Sequence, residues 1–108
     1  MSTYSIVVTR LAADDAVDMI RYISDNLKNV QAARRHLNLY LETVESLGEL
    51  PNRYAISSLA GLYENGIRLA PFGNYVIAYS VDELQKIVTI LRVLYGMSNL
   101  ERKLGQDG

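Results

Sequence analysis

The apolar positions of this chain follow two different periods, and the change from one to the other lays out the elements. Tyr4 to Thr9 (YSIVVT) is a short, β-branched, apolar run that predicts a buried strand. A helical pattern follows. Ala16, Ile20, Ile23 and Leu27 recur at steps of four, three and four with Val17 beside them, so they line one stripe of a helix. Asp14, Asp15 and Asp18 fall in its predicted first turns, where the helix dipole favours negative charge.

A second helix is predicted from Val30 to Leu47 on the stripe Val30, Ala33, Leu37, Leu41 and Val44, with Gly48 as a left-handed stop and Pro51 beyond it. The link between the helices, Asp25 to Asn29, is short and polar, which forces an antiparallel hairpin. Asn52 to Asn65 has no period and reads as a loop. Ile67 to Ala70 then predicts a strand, Pro71 to Asn74 (PFGN) a turn and Tyr75 to Val81 a second strand. Asp82 to Lys86 is a polar turn before the long apolar run Ile87 to Tyr95 (IVTILRVLY), which suits the middle of a sheet. Past Gly96, the S-x-x-E spacing of Ser98 and Glu101 is that of a capping box and predicts a short helix over Asn99 to Leu104. The expectation is one α+β domain over residues 1–108: an N-terminal strand, an antiparallel helix hairpin and a three-stranded antiparallel meander, with the helices on one face of a four-stranded sheet.

Composition narrows the functional classes. At 108 residues the chain has room for one core, and its 49% apolar and 21% charged residues are those of a globular domain. Without cysteine it has neither disulfides nor thiolate metal sites. It has no signal-like N-terminus and no apolar run of membrane-spanning length, so a cytoplasmic protein is expected. The net charge of −1 gives no overall electrostatic footprint for nucleic acid, which leaves any such role to a local basic patch.

Candidate chemistry rests on Arg68 and Arg92, because each interrupts an otherwise apolar strand. A guanidinium there either meets a carboxylate, with Glu64 and Asp82 as the nearest in sequence, or is presented to a partner on the sheet face that the helices leave open. His36, the only histidine, lies in ARRHL beside Arg34 and Arg35 and reads as a solvated helix position. No metal-ligand spacing, Gly-rich phosphate loop or nucleophile elbow is present, so neither a metal nor a cofactor is expected. Eight tyrosines accompany one phenylalanine and no tryptophan. Most suit core or boundary positions, and Tyr95 stands apart because it ends the long strand three residues after Arg92.

The run GIRLAPFGNYVIAYSVDELQKIVTILRVLYGMSNLERKL resembles the C-terminal half of RelE/ParE-type toxins, and the ParE-like branch above all. The resemblance is carried by Arg68, by Pro71 and Gly73, by Tyr75 and Tyr79, and by Leu91 to Gly96 with Leu100 and Glu101. The preceding strand and helix hairpin, ending in LGELPNR, match that family in layout. The resemblance implies the toxin of a type II toxin–antitoxin pair, silenced by a cognate antitoxin and meeting operator DNA only through the antitoxin complex. It implies Arg53, Arg68, Tyr75, Tyr79, Arg92 and Tyr95 as contacts to target or antitoxin, with Arg68, Arg92 and Tyr95 as catalytic candidates if the chain is an enzyme.

Two targets are implied by that family. ParE-like members block DNA gyrase, whereas RelE-like members cut mRNA on the ribosome without a metal. Charge favours the gyrase reading here: the loop from 52 to 65 has one arginine and no lysine, and Met97, Ser98 and Asn99 stand where many relatives are basic. A third reading is a non-toxic domain that binds an antitoxin or regulates its operon.

Overall fold

The computed structural model describes residues 3–59 and 61–96. Its elements are β1 (Ser5–Val8), α1 (Arg10–Arg21), a single π-helical turn (Tyr22–Asn26), α2 (Val30–Glu49), β2 (Arg68–Phe72), β3 (Tyr75–Asp82) and β4 (Ile87–Tyr95). The sheet order is β1-β4-β3-β2, with β1 parallel to β4 and the other pairs antiparallel. The expected α+β architecture is the one observed. The terminal helix predicted over Asn99 to Leu104 lies outside the described residues.

Thr9 starts α1 a turn earlier than the apolar stripe suggested, because its hydroxyl accepts the Ala12 N–H as an N-cap. The inward face therefore runs Ala12, Ala16, Met19 and Ile23, while Val17 is exposed. The three aspartates are not in the first turn. The π turn then inserts one residue into the helical ladder, with the Leu27 N–H reaching the Tyr22 carbonyl at 3.2 Å. This swings Leu27 off the buried stripe, leaving it 58% exposed.

In α2 the buried face runs Ala33, His36, Tyr40, Val44 and Leu47, one position away from the predicted stripe; Val30, Leu37 and Leu41 are exposed. Gly48 is not a left-handed stop. It lies buried within the last turn, and its carbonyl accepts the backbone N–H groups of Thr3 and Tyr4.

The strands also depart from expectation. β1 is an edge strand with Val7 and Val8 exposed, because only β4 pairs with it and the hairpin covers it incompletely. β2 continues through Pro71 to Phe72, which an edge strand tolerates since no ladder N–H is needed there. The hairpin turn shrinks to Gly73 and Asn74, with Gly73 at φ +57°, a conformation that glycine adopts without a Cβ penalty. The loop after α2 returns to bridge Ile56 to Arg68 and so covers one end of the β2 edge.

The main core lies between the helices and the sheet, where Tyr79, Leu47, Ile77, Ile90 and Val88 are fully buried. Each contributes roughly 1.5–3 kcal/mol of apolar burial. The opposite sheet face is not open. Leu59, Leu62 and Ile67 from the long loop pack there against Leu69, Val76 and Leu94.

Candidate functional site

β4 carries a bulge. Tyr79 pairs with Ile90 and Ala78 with Arg92, so Leu91 is an extra residue opposite β3. Before it, Val88 and Ile90 face the helices; after it, Val93 does. The Thr9 hydroxyl donates to the bulged Leu91 carbonyl at 2.9 Å, tying the end of β1 and the start of α1 to the same point. Past that point β4 has no β1 neighbour, and α1 supplies the missing acceptor: the Val93 N–H donates to Asp15 Oδ2 at 3.0 Å.

The same carboxylate receives Arg92. Nε donates to Oδ2 at 2.8 Å and Nη2 to Oδ1 at 3.1 Å, with the two side chains 14% and 12% exposed. Arg92 is therefore directed to α1 and not onto an open sheet face, and its partner is neither Glu64 nor Asp82. Arg68 is also corrected. It pairs across strands with Tyr79, on the face that carries Ala70 and Phe72, and its Nη1 donates to the Tyr54 carbonyl at 2.6 Å. Both arginines belong to the helix side, where loop 50–56 and α1 offer acceptors that sequence distance concealed.

Two groups of predicted site residues result. At one end, Arg68 lies beside Tyr79, which is fully buried and donates its hydroxyl to the Pro51 carbonyl at 2.9 Å. Arg53 lies over the Tyr54 ring, 5.4 Å from its centroid, beside a shallow hollow of about 420 Å³ that Tyr4 and Glu49 also line. At the other end, Tyr75 and Tyr95 are cross-strand partners. Four residues of β3 separate Tyr75 from Tyr79, about 13 Å at the rise of a strand. The six residues do not form one site.

The Tyr75 end opens into a cleft of about 610 Å³. Its floor is Tyr75, Val93 and Tyr95; its walls are Met19, Ile23 and Leu27 on one side and Ala32 and His36 on the other; Asp15 and Asp18 stand at its rim. A chain of aromatic contacts links it to the core. Phe72 stacks on Tyr75 at 5.7 Å, and Tyr75 meets His36 and Tyr95 edge-on at 5.9 and 5.2 Å. Burial raises the Tyr75 phenol above its ordinary pKa, with the neighbouring Tyr95 and Tyr22 adding to the rise. Tyr95, 58% exposed, is the outer end of the chain.

His36 and Asp15 escaped the sequence reading. His36 is half-buried: its Nδ1 lies 2.8 Å from the Ala32 carbonyl, and its ring sits over Gly73. The signal was present in the heptad Ala33, Tyr40, Leu47, which places His36 between its first two members on the inward face. Asp15 shares the phase of Ala12 and Met19 once Thr9 is taken as the cap. No cationic side chain lines the cleft. Its apolar walls, aromatic floor and acidic rim suit an apolar or aromatic side chain with a cation near it, and not a phosphate.

No curated protein is significantly similar in sequence. Solved structures share the fold. The chromosomal ParDE toxin–antitoxin system from P. aeruginosa superposes with a TM-score of 0.69 at 22% identity, over 86% of this chain and 96% of that one. The RelBE2 toxin–antitoxin complex from Mycobacterium tuberculosis gives 0.64 at 24%, over 85% and 96%. The RelE–RelB complex from Pyrococcus horikoshii OT3 gives 0.54 at 20%, over 86% and 94%. The profile of the family described as ParE toxin of type II toxin-antitoxin system, parDE, matches residues 6–100, taking in the strand, the helix hairpin, the meander and the cleft between them, and the chain accordingly belongs to that family of toxins.

Proposed function

We propose that this toxin arrests growth by binding DNA gyrase, without cutting RNA, and that a cognate antitoxin silences it by filling the cleft at Tyr75 and Tyr95. The observation that carries this reading is the charge of that cleft. Asp15 and Asp18 border it, no cation lines it, and the nearest strand arginine, Arg92, is held on Asp15 by two hydrogen bonds. Metal-free cleavage of RNA needs cations aimed at the scissile phosphate. A protein partner instead needs a concave apolar surface with exposed aromatic anchors, and Tyr22, Leu27 and Tyr95 provide it at 51%, 58% and 58% exposure. The antitoxin segment expected there is amphipathic, with an apolar anchor for the cleft and a Lys or Arg for Asp18. Contact with operator DNA then comes through the antitoxin.

Purified full-length chain is tested in parallel on gyrase supercoiling and on mRNA cleavage by programmed ribosomes. Inhibition of supercoiling that added antitoxin relieves is the expected result. Ribosome-dependent cuts with supercoiling untouched would overturn the gyrase assignment. Unimpaired growth on induction without antitoxin would instead favour a domain that only binds its antitoxin.

A further inference from the structure

The outer flank of α2 carries a stripe that the fold leaves uncovered. Val30, Arg34, Leu37, Leu41 and Glu45 recur at steps of four, three, four and four, so they share one line along the helix. All five are exposed, with Val30 at 60%, Leu37 at 37% and Leu41 at 53%. The stripe has an apolar centre, a cation on its N-terminal side and a carboxylate on its C-terminal side. Among the described residues neither Arg34 nor Glu45 forms an ion pair. They cannot pair with each other, since eleven residues of helix hold them about 16 Å apart.

We propose that this stripe is where a second copy of the chain docks, α2 against α2, antiparallel about a twofold axis. Antiparallel pairing about a centre between Leu37 and Leu41 sets each residue against one whose number complements it to about 79. Leu37 then meets the partner's Leu41, and Arg34 meets the partner's Glu45. Twofold symmetry repeats both contacts, so one helix face satisfies itself in both apolar and charged terms. A parallel pairing would put like charges together. The low net charge of −1 adds little repulsion between copies. The cleft is lined from α2 by Ala32 and His36, which belong to another side of the helix, so pairing leaves it accessible. One helix pair is small among specific interfaces, which makes a weak dimer, with a Kd on the order of 10 µM, the expected outcome.

Sedimentation velocity on full-length chain from cell-free synthesis, up to about 200 µM, tests this. A concentration-dependent monomer–dimer equilibrium is expected. R34E sets a carboxylate against the partner's Glu45 twice over, and E45R sets two cations together; each is expected to weaken dimerisation about tenfold or more. The double variant R34E/E45R exchanges the signs and restores the dimer. That rescue is intermolecular, given the distance within one helix. All three changes are on the surface, and circular dichroism checks that the fold is kept. A monomer at every concentration, or a dimer indifferent to both reversals, would overturn the proposal. So would loss of antitoxin binding in L41E with unchanged sedimentation, which would give the stripe to a different protein.

Discussion

The Asp15 carboxylate takes the Arg92 guanidinium through two hydrogen bonds while also accepting the Val93 N–H, so one side chain of α1 closes the stretch of β4 that β1 leaves unpaired. A charge embedded in an apolar strand is thereby made part of the helix–sheet joint. The bulge at Leu91 is what makes this possible, because it changes the phase of the strand where the helix crosses it.

Removing either partner should show the joint's worth. Asp15→Ala is expected to cost about 2–4 kcal/mol, since it strands both a guanidinium and a backbone N–H, and Arg92→Ala about 2 kcal/mol. The double variant should cost about 1–2 kcal/mol less than the sum. Urea unfolding of the four proteins measures this; strict additivity would show that the pair is not coupled.

Arg68 and Tyr79 should behave as structural residues. Tyr79→Phe leaves the Pro51 carbonyl without its donor, and Arg68→Ala does the same to the Tyr54 carbonyl, so each is expected to cost about 1–2 kcal/mol. Any loss of growth arrest in Arg68→Ala should track its lower melting temperature. An unchanged midpoint with abolished arrest would make Arg68 a contact residue after all.

Tyr95→Ala is the complementary case. The ring is more exposed than buried, so stability should change by less than about 1 kcal/mol, whereas loss of an aromatic anchor should weaken partner binding by about 2 kcal/mol, or thirtyfold. Calorimetric titration against antitoxin and against gyrase reads both partners. A variant with wild-type affinity for each would remove the cleft from the functional surface.

The pH dependence follows from two opposite shifts. Burial raises the phenols of Tyr40, Tyr75 and Tyr79, so the folded state holds these protons more tightly than the unfolded chain does. Their contribution to stability is complete below the ordinary tyrosine pKa of about 10 and is lost as pH rises through the folded values. Glu83 goes the other way, lowered first by the Tyr4 hydroxyl, which donates to it at 2.6 Å, and then by Asn52. Its contribution is present above the ordinary glutamate range and is lost as pH falls. Urea midpoints followed into alkali should fall above about pH 10, and Tyr79→Phe should flatten that limb; Glu83→Gln should flatten the acid limb. Identical profiles for wild type and variants would contradict both.

What was legible in the sequence is the order of elements and the layered architecture. These depend on local periods: the β-branched runs, the helical spacings and the turn at Gly73 each act within a few residues. The phase of each helix was harder to read. In α2 the apolar residues span so wide an arc that Leu37 and Leu41 look as core-like as Tyr40 and Leu47, and only packing against Phe72 and the sheet selects the inward side.

The site was settled by the tertiary structure. Asp15 and Arg92 are 77 residues apart, and no local pattern announces either the bulge that turns one or the Thr9 cap that positions the other. The π turn that exposes Leu27, and the return of loop 50–56 beneath Arg68, are likewise outcomes of packing. Local preference acts along the chain, whereas a buried charge or an unpaired N–H is satisfied by whatever the folded chain brings within hydrogen-bonding reach.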